Sequence, residues 1–74
     1  MGADEYEAAF HGIELPESVE LFPGSKIPDV RLFLEKEFEI LRKGQSTRVV
    51  DAVKYRLDRL LAIINEKNDG DNYI

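Results

Sequence analysis

The sequence predicts a mainly α fold: a small three-helix bundle in which an ordered, extended, proline-containing strap joins the first helix to the second. Three observations carry that prediction. Residues 49–64, VVDAVKYRLDRLLAII, keep a single helical period from end to end. Residues 29–44 open on an Asp and close on a Gly around a second amphipathic pattern. Residues 13–28 contain three prolines and are too apolar for a solvated linker. At 74 residues the chain makes one domain, near the lower size at which a hydrophobic core holds a fold without disulfides or metals. Self-association as a homodimer is one way such a chain supplements a thin core.

The first helix spans Ala3 to His11. Tyr6, Ala9 and Phe10 share one side, with Ile13 just past the end. Asp4, Glu5 and Glu7 near its start and His11 in its last turn have the signs that complement the helix dipole. Gly12 is expected to end it in the left-handed conformation, with Ile13 folding back as the hydrophobic contact of the stop. His11 reads as a solvated residue near that end.

The strap, IELPESVELFPGSKIP, follows. Val19 and Leu21 alternate across Glu20, which suits an extended segment lying on the bundle. Pro23-Gly24 is a type II turn signal, so a short hairpin of Val19 to Phe22 with Ser25 to Ile27 is an alternative within the strap, and Phe22 beside that turn is a candidate binding loop.

Asp29 is the natural N-cap of the second helix, Val30 to Lys43, and Gly44 its stop. Val30, Phe33, Leu34, Phe38, Ile40 and Leu41 lie on one broad face. Two residues depart from that pattern. Glu37 sits inside the apolar arc, and Leu32 lies opposite it. Arg56 on the third helix borders the apolar stripe there, where its stem can pack and its head can reach an acid, so Glu37 and Arg56 are a candidate buried ion pair.

Gln45-Ser46-Thr47 is a short linker with Ser46 or Thr47 as N-cap, which makes the second and third helices antiparallel neighbours or has them cross at a steeper angle. The third helix runs to about Asn65 or Lys67. Val49, Val50, Val53, Leu57, Leu60, Leu61 and Ile64 form the core-facing stripe, and a flanking line of Ala52, Arg56, Arg59 and Ile63 is left for the first helix or a second copy. Residues 1–67 therefore form the domain, with 68–74 a polar, flexible C-terminal tail ending in Tyr73-Ile74.

Composition excludes several functions. With no cysteine and one histidine there is neither a disulfide nor a metal ligand set, which fits a reducing, cytoplasmic setting. The first residues are acidic where a secretory signal is basic, and no window approaches a membrane span. General acid–base work needs paired groups, and nucleophilic catalysis needs Ser or Cys beside a base. Neither arrangement is present, so the expectation is a non-enzyme with no catalytic, cofactor or metal residues and no cofactor. A protein-interaction or self-association module remains, binding a protein partner or a second copy of itself. Leu32, Tyr55, Arg59 and Ile63 are its candidate partner-binding residues because the core stripes leave them over.

The alternative is a nucleic-acid-binding, helix-turn-helix-like module using the third helix, for which Arg48, Lys54, Arg56 and Arg59 speak. The net charge of −5, Asp51 and Asp58 on that helix, and the divergence of Lys54 from Arg56 and Arg59 weigh against it. Charge is nonetheless uneven along the chain. Residues 1–20 carry acids and no Lys or Arg, whereas residues 42–59 are predominantly basic.

The run IELPESVELFPGSKIPDVRLFLEKEFEIL followed by YRLDRLLAII resembles a family of short bacterial helical domains of unknown function. The features that carry the likeness are Leu15-Pro16, Ile27, Asp29, Phe33-Leu34-Glu35, Arg56-Leu57 and Leu60, over residues 6–64. Where that family often has a proline and an aromatic early in the last helix, this chain has Ala52 and Val53. The resemblance implies a helical module without assigned chemistry.

Overall fold

The computed structural model describes residues 3–44 and 46–72. Its elements are α1 (Ala3–His11), β1 (Val19–Phe22), β2 (Ser25–Ile27), α2 (Val30–Lys43) and α3 (Thr47–Asn72). The chain is mainly helical, with one small two-stranded sheet.

Local chemistry sets the ends of α2. Asp29 has extended backbone, φ −134°, and its carboxylate accepts from the Leu32 N–H at 3.0 Å. Gly44 is left-handed, φ 58°, and its N–H donates to the Ile40 and Leu41 carbonyls at 3.2 Å each. For α3 the choice of cap falls on Ser46, whose Oγ accepts from the Val49 N–H at 3.3 Å. Gln45, the first residue of the expected linker, lies outside the described residues.

At two places the backbone departs from what the sequence predicts, and within the strap it takes the hairpin alternative. Gly12 does not have positive φ, because α1 closes instead with a tight turn in which the Ile13 N–H donates to the Phe10 carbonyl at 3.5 Å. The strap is not one extended run: it is irregular to Ser18 and then folds as the hairpin β1–β2. The helical backbone of α3 continues through Asn72, past Lys67 where the tail is expected to begin, since no proline interrupts the hydrogen-bond ladder there. Tyr73 and Ile74 lie outside the described residues.

The hairpin turns on Pro23-Gly24 with Gly24 at φ 81°, the conformation a type II turn requires at its second central residue. Such a turn splays paired strands. An irregularity compensates: Val19 pairs with Ile27 and Glu20 with Lys26, but Phe22 pairs with Ser25, leaving Leu21 as the extra residue. Val19 and Leu21 both face inward while Glu20 is exposed.

One apolar cluster joins every element. Phe10 of α1, Val19, Leu21 and Ile27 of the hairpin, Val30, Leu34 and Phe38 of α2, and Val53, Leu57, Leu60 and Ile64 of α3 are buried together. Phe10 and Phe38 form a tilted ring pair with centroids 6.3 Å apart. Val49 is 37% exposed despite its place in the helical stripe, because it sits in the first turn of α3 at the open α2–α3 corner.

Candidate functional site

The second stripe of α3 is fixed by the first. Once Val53, Leu57, Leu60 and Ile64 point inward, the 3.6-residue repeat puts Arg56 and Ile63 beside the core, Arg59 farther round and Tyr55 outside. Arg56 meets Glu37 of α2, its Nε 2.5 Å from Oε1 and its Nη2 3.2 Å from Oε2. Glu37 is 4% exposed, so the fork-shaped contact is what makes a carboxylate tolerable inside the apolar arc. Donation to that carboxylate raises the Arg56 guanidinium above its ordinary pKa, with burial opposing.

Arg59 reaches the hairpin. Its Nε donates to the Leu21 carbonyl at 3.0 Å, an acceptor on the residue that the strand irregularity leaves without a cross-strand partner. Its guanidinium carbon lies 5.4 Å from the centre of the Phe22 ring. On that same ring Tyr55 stacks with centroids 6.1 Å apart and planes 14° from parallel. Tyr55 is nevertheless 60% exposed, the largest exposure among the bulky apolar side chains described.

The structure thus brings Tyr55 and Arg59 together through Phe22, and Arg56 to Glu37. It does not bring Leu32 or Ile63 into the same cluster. Leu32 is 47% exposed beside a shallow depression lined by residues of β2, α2 and the turn between them, including Lys26, Pro28 and Lys36. Ile63 is half-buried against the core. The sequence marks Phe22 only as part of a candidate binding loop beside Pro23-Gly24. Its role as the ring between Tyr55 and Arg59 has no sequence signal, because more than thirty residues separate the partners.

On the other side of α3, the Tyr6 hydroxyl donates to Asp58 at 2.7 Å. Burial first, and then that hydrogen bond, push the Tyr6 pKa up to about 12. Arg42 near the end of α2 pairs with Glu7, which ties α1 into place from a second direction. Exposed His11 borders an open depression of about 780 Å³ between α1, residues 13–15 and α2, which is also lined by Glu7, Glu14, Arg31 and Glu35.

Among the described residues no group of three or more His, Cys, Asp or Glu side chains is placed to hold a metal ion, and no buried side-chain nitrogen or oxygen lacks a hydrogen-bond partner. No helix among them is long and apolar enough to cross a membrane.

The class defined by these features is a small, mainly helical domain with a hairpin clasped to its last helix. Residues 1–66 match the family model described as Domain of unknown function (DUF6965), and the chain belongs to that family. No curated protein and no solved structure matches it.

Proposed function

We propose that this chain is a non-catalytic protein-interaction or self-association module of the bacterial cytoplasm, and that its contact surface is the outer face of α3 around Tyr55, Phe22 and Arg59. The observation that carries the reading is the solvent-facing stack itself. A tyrosine held on a phenylalanine ring has little further freedom to lose on binding, and tyrosine and arginine are the residue types that dominate interface energetics. The non-catalytic part is supported by Glu37, the one buried carboxylate described, whose two oxygens are both occupied by Arg56. The absence of cysteine accords with a reducing compartment.

The alternative of nucleic-acid binding by α3 draws less support. One of its four basic residues, Arg56, has its charge matched within the molecule by Glu37. Lys54 borders a depression formed with α1 and the end of α2, on another side of the helix.

A photo-crosslinking residue at position 55, introduced in cells that contain the protein, tests the proposal. A discrete adduct from position 55 that Arg59→Glu abolishes, and that the same probe at exposed Glu35 does not give, is the expected result. If no adduct forms from position 55, the surface is not an interface and the reading is withdrawn.

A further inference from the structure

Resting on that interaction reading, we infer that the occupant of the outer face of α3 is the same face of a second copy, packed antiparallel about a two-fold axis at the level of position 57. One exposed line of α3 runs through Arg48, Ala52, Tyr55, Arg59, Ala62 and Glu66, with exposed Asp51 and Asp58 on its flank. The spacing along that line alternates four and three residues, the repeat by which two helices keep one seam in contact over several turns. Small residues alone would mean little; the order of the others is what selects a partner.

In an antiparallel pair centred on position 57, Arg48 of one copy faces Glu66 of the other, Ala52 faces Ala62, and Tyr55 faces Arg59. Each contact occurs twice by symmetry, as an isologous interface demands. The charges at the ends are opposite, the alanines let the backbones approach, and each Arg59 guanidinium, already on its own Phe22 ring, meets a second ring in Tyr55 of the other copy. A parallel pair would instead set Arg48 on Arg48, Arg59 on Arg59 and Glu66 on Glu66, like against like throughout.

The flanks set the strength. Near the axis Arg56 and Asp58 each approach their own copies. The charge of Arg56 is matched by Glu37, whereas Asp58 is held by the uncharged hydroxyl of Tyr6. The seam from 48 to 66 is about 27 Å long, short for an interface of about 800 Å² per partner. Association is therefore weak, with a Kd of roughly micromolar or above.

Sedimentation equilibrium of the full chain from about 10 μM to about 1 mM reads the association directly. Wild type dimerises in this range; Arg48→Glu and Glu66→Arg each weaken the dimer on the order of tenfold by turning two attractive contacts repulsive. The double charge swap restores it, and Asp58→Asn tightens it. Register is read by cysteines, of which the chain has none of its own. Ala52→Cys mixed with Ala62→Cys gives an oxidised heterodimer, while Ala52→Cys alone does not, since equal positions would lie about 15 Å apart along the helices.

A chain that stays monomeric throughout, single swaps no weaker than wild type, or an oxidised homodimer of Ala52→Cys each overturns the inference. An adduct from position 55 to a different protein, with a monomeric chain, overturns it while leaving the interaction reading intact. No adduct at all removes both.

Discussion

Replacing Arg56 with alanine leaves the Glu37 carboxylate, 4% exposed, without either hydrogen bond that holds it at the α2–α3 contact. Breaking a buried pair from one side costs about 3–5 kcal/mol. The Arg56 side chain is 35% exposed, so water enters part of the vacated space, and a loss of about 3 kcal/mol is expected. That is a large share of the total for a domain of this length, about 4–11 kcal/mol at roughly 0.05–0.15 kcal/mol per residue.

Urea unfolding followed by far-UV circular dichroism measures the loss. The double variant Glu37→Leu with Arg56→Leu should recover most of the stability, since it leaves no charge unmatched. A deficit below about 1 kcal/mol would show that Glu37 is hydrated in the folded protein, and the account of the α2–α3 contact would fail.

Three other outcomes are expected. Leu57→Ala, at a side chain with 0% exposure, should destabilise the fold by about 2–5 kcal/mol in the same urea assay. Asp29→Ala removes the acceptor for the Leu32 N–H and should cost about 1 kcal/mol; a neutral result would mean that solvent replaces the cap. Tyr6→Phe changes the alkaline limb. Because the folded value of about 12 exceeds the ordinary 10.0, the stability linked to this proton is complete below pH 10.0 and lost as pH rises to about 12. Wild type should therefore lose stability over that interval faster than Tyr6→Phe, measured as the difference between their urea midpoints.

The helices were legible wherever the residue chemistry is local. Asp29, three residues before the amide it caps, and Gly44, at the end of the apolar period, mark α2 from sequence because the groups they satisfy are a few residues away. The Glu37–Arg56 pair was legible for a related reason: a carboxylate in an apolar arc needs a partner, and helical periodicity left Arg56 bordering the stripe that packs there. Gly12 misleads because glycine permits the left-handed conformation without requiring it. Whether the segment 13–28 lies flat or turns back as a hairpin was open, since Val19 to Phe22 has the same alternation in either arrangement.

By itself, the sequence determined the helical stripes, both caps of α2, the turn residues Pro23-Gly24, and the absence of disulfide and thiolate chemistry. All of these depend on neighbours a few positions apart or on composition alone. Tertiary structure decided that an irregular pair in the hairpin frees the Leu21 carbonyl, that Arg59 takes it, and that Phe22 lies between Arg59 and Tyr55. Those contacts join residues more than thirty positions apart, and the choice among many such distant pairings is made only when the whole core closes and each helix face is assigned its neighbour.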